Sequence, residues 1–187
     1  MLLDSINLRS LHLKNRMVMS PMTRSRAVDA NKPDALMAEY YGQRASAGLI
    51  ITEGTSPSPN GLGYPRVPGL FNAAQVQGWK LVTNAVYDQG GKIFVQLMHT
   101  GRVTHTANLP AGAEVLGPSA EPAPGEMYTD AKGNQPYSPP RIMTTRDIPT
   151  RSMSTQTRRP SHLKPASMAS SYTAQTVISS SNSSTRP

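Results

Sequence analysis

Three short, mostly apolar runs alternate along the chain with two stretches of helical periodicity. The runs are 16–22, 49–52 and 92–99. Between them, apolar residues recur at intervals of three to four over 32–48 and again over 73–89. Strands that are almost continuously apolar and separated by helices are typical of parallel β/α units. The pattern therefore predicts an α/β fold containing about three such units.

Local signals set the expected limits of the two helices. Pro33 lies near the first turn of the first helix, and Gly48 is its predicted stop. Gly90-Gly91 is expected to end the second helix. The region 109–150 is rich in proline and predicts a long excursion with short hairpin-like pieces. The expected buried stripes are Leu36, Met37, Tyr40, Tyr41 and Ala45 on the first helix, and Val76, Trp79, Val82 and Val86 on the second.

Polar residues near the carboxyl ends of the predicted strands are candidates for chemistry, because parallel β/α folds place their sites there. Strand alternation predicts that Gln96 shares one face with Phe94 and Met98. A buried amide needs partners for its oxygen and its NH2 group. Neighbouring backbone would satisfy a structural glutamine, whereas a ligand would satisfy a binding one, and the residues alone leave both open. Glu53 and Arg102, at strand ends, are expected to be structural.

The basic charge of the chain is unevenly distributed. The 187 residues carry a net charge of +8, yet 151–187 holds five basic residues, no acidic ones, 16 serines and threonines and one aromatic residue. Such a segment buries too little apolar area to offset its ordering entropy. We therefore predict a globular part at 1–149 and a disordered basic tail at 150–187. An alternative is a non-catalytic basic fragment that binds nucleic acid or a protein partner.

Composition excludes several classes of site. The absence of cysteine excludes disulfides, zinc-thiolate centres and a cysteine nucleophile. The four histidines show no ligand spacing, so no metal site is predicted. No apolar run approaches the roughly 20 residues of a membrane span, which predicts a soluble, cytoplasmic protein without a membrane partner.

A set of motifs in fixed order carries a family resemblance over 2–149. They are LKNRMVMSPMTR (13–24), EYY (39–41), RASAG (44–48), IITEG (50–54), GY (63–64), FVQLMHTGR (94–102) and GPS (117–119). Together they resemble the old yellow enzyme family of FMN-dependent ene reductases. The resemblance implies the N-terminal portion of a (β/α)8 TIM barrel, incomplete in this chain. It also implies FMN as cofactor, NAD(P)H as hydride donor, and an α,β-unsaturated carbonyl or nitro compound as substrate.

The resemblance also implies roles for individual residues. Gln96 would hydrogen-bond to the pyrimidine edge of the flavin, and Thr23 would lie at its O4/N5 corner. Backbone contacts are expected from Pro21, Met22 and Gly54, where the glycine allows close approach. The substrate side would be lined by Tyr64 and by Met98, which stands where family members often have tryptophan.

The match to the family stops near Pro149. The histidine pair that binds substrate in the family, and its proton-donating tyrosine, are absent from 150–187, so no catalytic residue is assigned and the chain is expected to be truncated and inactive. Reading 172–178 out of frame permits LHGANGY, a family sequence otherwise missing. We therefore predict that residues from about Thr150 onward are a frameshift product, and that the locus encodes LHGANGY in its other frame.

Overall fold

The computed structural model describes residues 1–9, 11–145 and 147. The predicted disordered tail at 150–187, with its proposed frameshift, lies outside the described residues. The elements in chain order are β1 (Ile6–Leu8), β2 (Leu11–Leu13), β3 (Val18–Met19), α1 (Ala35–Gly42), β4 (Leu49–Thr55), α2 (Ala73–Tyr87), β5 (Ile93–Leu97), β6 (Leu116–Gly117), β7 (Glu126–Thr129), β8 (Gly133–Pro136) and β9 (Arg141–Ile142). Single 3-10 turns lie at Asp29–Asn31, Pro59–Gly61 and Thr106–Asn108.

The centre of the fold is a three-stranded parallel sheet in the order β3-β4-β5. Both α1 and α2 cover the same face of this sheet and pack against each other. The buried cluster between the layers is Ala27, Met37, Tyr41, Ala45, Ile50, Leu70, Trp79, Val82, Val86, Ile93 and Leu97. The predicted succession of three parallel strands and two helices is confirmed.

The first helix is shorter than predicted. It begins after Asp34, whose carboxylate accepts a hydrogen bond from the Met37 N–H at 3.1 Å, which is a side-chain N-cap. It ends at Gly42, because the chain then turns six residues before the predicted stop at Gly48. The predicted stripe is wrong at Leu36, which is 54% exposed.

The second helix follows the prediction closely. Asn72 caps it by accepting from the Gln75 N–H at 2.9 Å, and the Gln75 side chain accepts in return from the Asn72 N–H at 3.2 Å. This reciprocal pair satisfies two N–H groups that the first turn leaves free. Gly90 lies just beyond the helix with φ of 69°, a conformation that favours glycine.

The remaining strands form small satellite pairs. A hairpin of β1 and β2, not predicted from the sequence, precedes the central sheet. The excursion after β5 contains the expected hairpin, β7–β8, and the short parallel pair β6–β9. Within the described residues, no helix is long and apolar enough to cross a membrane.

Candidate functional site

The two faces of β5 differ in what covers them. Ile93 and Leu97 belong to the core beneath the helices, whereas Phe94 and Gln96 alternate with them and are half-buried. We call the face of the central sheet opposite the helices the site face. The alternation predicted for β5 is confirmed, and Gln96 lies on the site face with the candidate substrate residue Met98 one pleat further on.

A bulge in β4 determines which residue of β4 lies opposite Gln96 of β5. The register passes from Ile51 opposite Phe94 to Gly54 opposite Gln96, so β4 has one residue more than β5 in this interval. The Thr52 hydroxyl accepts from the Gln96 N–H at 3.1 Å and donates to the Glu53 carbonyl at 2.8 Å. Thr52 thus satisfies backbone groups that the bulge removes from the ladder.

The side-chain amide of Gln96 has no hydrogen-bond partner among the described residues, although its backbone N–H is satisfied. It is half-buried on the site face. Neighbouring backbone therefore does not satisfy this amide, which is what a structural glutamine requires. Its oxygen and NH2 group are available to a ligand.

Gly54 lies directly beside Gln96. The Met98 side chain occupies the space that a side chain on Gly54 would fill. A Cβ added at Gly54 would lie 2.6 Å from the Cε atom and 2.7 Å from the Sδ atom of Met98. Any larger residue at Gly54 would therefore displace Met98 across the site face. The structure brings three predicted site residues together: Gly54, Gln96 and Met98.

The segment 20–24, which follows β3, is fastened to β4 by a buried carboxylate. Glu53 is only 1% exposed, and its Oε2 accepts a hydrogen bond from the Arg24 N–H at 3.1 Å. Its Oε1 accepts from the Tyr41 hydroxyl at 3.3 Å, and the Glu53 N–H donates to the same hydroxyl at 2.9 Å. Glu53 therefore joins α1, β4 and the segment 20–24.

Burial controls the electrostatics of this junction. Desolvation raises the pKa of Glu53, and hydrogen bonds from Arg24 and Tyr41 oppose part of that rise. Desolvation likewise raises the pKa of Tyr41, and the nearby charge of Glu53 adds to the shift. Glu53 has the structural position expected of it, but the sequence does not indicate its partners Tyr41 and Arg24.

The other predicted site residues lie on the two loops at this end of the sheet. Pro21 is half-buried, whereas Met22 and Thr23 are exposed, and the Thr23 hydroxyl has no partner within the described part of the chain. Tyr64 is exposed. Burial raises the pKa of Tyr137, and the electrostatic interaction with nearby Tyr64 adds to that rise.

The loop of Tyr64 is held by the segment after β5. The Gly63 carbonyl accepts hydrogen bonds from Thr104 at 3.3 Å and Asn108 at 2.9 Å. His99 packs against Gly61 on this side, and its Nδ1 accepts from the Gly101 N–H at 3.1 Å. Arg102 donates to the Glu121 carbonyl at 3.3 Å.

Clusters of acidic or histidine side chains able to hold a metal are absent from the described residues.

Comparison with known proteins identifies the family. The family model described as NADH:flavin oxidoreductase / NADH oxidase matches residues 1–153. The chain belongs to this family. The NADH:flavin oxidoreductase family match extends slightly past the predicted limit at Pro149, and it confirms the resemblance on which the FMN assignment depends.

Family members of known structure share the fold. The old yellow enzyme homologue from Zymomonas mobilis is 43% identical, with a TM-score of 0.78 over 84% of this chain and 43% of its own. Morphinone reductase in complex with tetrahydroNAD is 42% identical, with a TM-score of 0.77 over 84% of this chain and 44% of its own. These neighbours are TIM barrels, so the described sheet and helices are part of a (β/α)8 barrel, as predicted.

Two curated relatives give the same picture. 12-oxophytodienoate reductase 7 of Oryza sativa is 40% identical over 73% of this chain and 35% of its own length. The flavin oxidoreductase hxnT of Emericella nidulans is 40% identical over 79% of this chain and 38% of its own length. The chain thus spans less than half the length of the relatives it matches.

The site face suits the cofactor of this family. FMN presents alternating hydrogen-bond acceptors and donors along its pyrimidine edge. The free amide of Gln96 offers one acceptor and two donors beside the backbone of Gly54. The exposed hydroxyl of Thr23 offers a further donor. The residues present therefore fit a flavin.

Proposed function

We propose that this chain supplies the flavin-binding part of an FMN-dependent oxidoreductase that takes hydride from NAD(P)H and reduces activated alkenes or nitro compounds. The half-buried amide of Gln96, free of protein partners in the described residues, is the observation that carries the proposal. Solvent reaches this amide, since it is not among the buried polar atoms that lack a partner in the described residues, so a ligand there can replace water with matched hydrogen bonds. The coenzyme in the morphinone reductase complex supports a nicotinamide as hydride donor.

Each site residue has a separate task in this proposal. FMN, when bound, supplies the two-electron chemistry that no side chain provides. Gln96 holds the pyrimidine edge through its amide, and Thr23 donates from the loop after β3. Pro21, Met22 and Gly54 contribute backbone contacts.

The substrate side is formed by two other residues. Tyr64 and Met98 line it, and Met98 presents a flexible thioether that adapts to the shape of its ligand. The Met98 side chain also covers Gly54, so the substrate wall and the cofactor-binding backbone touch each other. Proton donation to the substrate is assigned to no described residue.

Flavin retention tests the proposal directly. The purified chain, incubated with FMN and desalted, is expected to keep a protein-shifted visible flavin spectrum. Replacing Gln96→Ala removes the amide and is expected to weaken FMN binding about tenfold, the effect typical of removing one or two hydrogen bonds. Quenching of FMN fluorescence measures the affinity.

Gln77→Ala is the matched control, because Gln77 is exposed on α2 and lies away from the site face. It is expected to leave the affinity unchanged. A wild-type chain that loses all FMN on desalting would contradict the proposal for this chain. Equal weakening by both alanine variants would remove Gln96 from the site.

A further inference from the structure

The buried carboxylate of Glu53 is the strongest polar feature that the proposed function leaves unused. It lies on the helix side of β4, whereas its neighbour Gly54 faces the site. Glu53 does not therefore reach the site face itself. Its contacts nevertheless lead there, because Oε2 accepts from the N–H of Arg24, the residue after Thr23.

We infer that Glu53 is a positioning residue, which fixes the segment 20–24 against β4 and so places the Thr23 hydroxyl for flavin binding. The inference rests on the proposed function and deepens it.

The segment depends on this carboxylate because it has little regular structure of its own. Strand β3 is two residues long and ends at Met19. After it, Thr23 and Arg24 are exposed and lie outside any strand or helix. The buried carboxyl group of Glu53 accepts the Arg24 N–H at 3.1 Å, an ordinary hydrogen-bond length, at a position shielded from water. The Arg24–Glu53 bond is thus the anchor nearest to Thr23.

Tyr41 keeps the carboxylate pointed at Arg24. Its hydroxyl donates to Oε1 and accepts from the Glu53 N–H, so side chain and backbone of Glu53 are held by one group. Tyr41 is itself 1% exposed and packs beside Trp79 at a ring-centroid distance of 6.3 Å. The helix layer therefore fixes the orientation of Glu53, and Glu53 in turn fixes the position of the segment 20–24.

A second interaction holds the same segment from outside. The guanidinium of Arg24 lies 5.4 Å from the ring centroid of Tyr40, and that of Arg44 lies 3.8 Å from it. These are cation–π interactions at the surface, and on Arg24 they hold the side chain rather than the peptide N–H that follows Thr23. Removal of the Glu53 carboxylate is therefore expected to loosen Thr23 even when the Arg24–Tyr40 interaction persists.

Amide hydrogen exchange on the flavin-free chain tests the anchor. Glu53→Leu removes both acceptor oxygens while filling a similar volume, and it is expected to speed exchange at the Arg24 N–H at least about tenfold. Glu53→Gln retains one carbonyl acceptor and is expected to restore most of the protection. Thr129→Val is the control, since it removes another buried hydrogen bond, to the Gly133 carbonyl at 2.9 Å in the β7–β8 hairpin, that does not involve the segment or Tyr41.

A double-mutant cycle on FMN affinity tests the positioning role. If Glu53 acts through Thr23, Glu53→Leu and Thr23→Ala each weaken FMN binding about tenfold, and the double variant is no weaker than the worse single variant. Additive effects, as expected for general destabilisation, would overturn the inference. Unchanged affinity in Glu53→Leu with a loosened segment would overturn it as well.

The two readouts separate this inference from the proposed function. If the wild-type chain retains no FMN, the proposed function fails for this chain, and with it the positioning role towards a flavin. Exchange at Arg24 then still shows whether Glu53 anchors the segment. Unchanged exchange in Glu53→Leu overturns the inference whatever the flavin result.

Discussion

At the scale of single residues, Glu53 is a carboxylate placed where its charged form is costly. Burial raises its pKa above the reference value of 4.5, with partial compensation by Arg24 and Tyr41. A group whose pKa is higher in the folded state binds more protons there than in the unfolded state. Its contribution to the free energy of unfolding is therefore complete below about pH 4.5 and declines as pH rises through the folded-state pKa.

Comparison of wild type with Glu53→Gln isolates this contribution, because glutamine does not titrate. The difference in free energy of unfolding, wild type minus variant, is expected to fall from about pH 4.5 upward, at no more than about 1.4 kcal/mol per pH unit. It then levels off above the folded-state pKa. Urea unfolding at several pH values between about 4 and 8 measures it. A difference that grows with pH would show instead that the ionised carboxylate is the stabilised form.

Some residues of the site can be placed from the sequence, whereas the contacts of others cannot. Strand alternation predicts that Gln96 shares a face with Phe94, and the structure confirms this and shows that the helices cover the opposite face. The role of Thr52 is not predictable in this way, because a bulge shifts the register by one residue and leaves no trace in the hydrophobic pattern. Tyr41 is predicted only as a core residue, since its hydroxyl contact with Glu53 depends on how α1 lies over β4.

At the scale of elements, predictability follows the amount of local information. Helix α2 is predicted nearly to its ends from its apolar stripe and from the stop signal at Gly90, and the structure adds the capping box of Asn72 and Gln75 at its start. Helix α1 has a start signal in Asp34 but no glycine in the left-handed region at its end, and its predicted length is wrong. The strands of the β1–β2 hairpin do alternate between apolar and polar residues, but each is only three residues long. The two residues between them, Arg9 and Ser10, are not a pair typical of hairpin turns, so the hairpin is not predicted.

Close packing of α2 depends on Gly78. A Cβ at this position would lie 2.3 Å from the Pro33 carbonyl oxygen, which is backbone and cannot move without shifting the entry to α1. Alanine favours a helix over glycine by about 1 kcal/mol, yet Gly78→Ala is expected to reduce the free energy of unfolding by about 1–3 kcal/mol because of overpacking. Urea unfolding measures the change.

Asn84→Ala provides the control for this prediction, because Asn84 is exposed in the same helix. Only helix propensity changes there, so its effect is expected to be within about 0.5 kcal/mol of neutral or slightly stabilising. A stabilising Gly78→Ala would mean that α2 and the Pro33 segment lie further apart than the 2.3 Å approach implies.

At the scale of the whole molecule, the described part is a portion of a closed architecture. Within the described residues, β3 and β5 each pair on one side only, with β4 between them. A barrel closes only when every strand has two neighbours. The family neighbours achieve this in chains of which this one covers 43–44%. The parallel order of three strands is predictable from apolar runs, whereas barrel closure is inferred from resemblance.

The whole-molecule charge leads to a further prediction about partners. Of the net charge of +8, most comes from five basic residues in 151–187. Without a site for reading bases, such charge is expected to bind polyanions through counterion release alone, with steep dependence on salt. The full chain is expected to bind duplexes of different sequence equally.

Neutralising Arg151, Arg158, Arg159, Lys164 and Arg186 to glutamine in the full chain tests where this binding originates. The slope of log affinity against log salt is expected to become shallower by at most about 4 to 5, because each duplex phosphate that a basic residue neutralises contributes roughly 0.9 to the slope. Neutralising five basic residues among 1–150, away from 20–24, is the matched control and is expected to change the slope less, because acidic residues there offset the charge. Fluorescence anisotropy at several salt concentrations supplies the slopes. Sequence preference that survives neutralisation would favour the nucleic-acid alternative, because charge alone cannot distinguish one duplex from another.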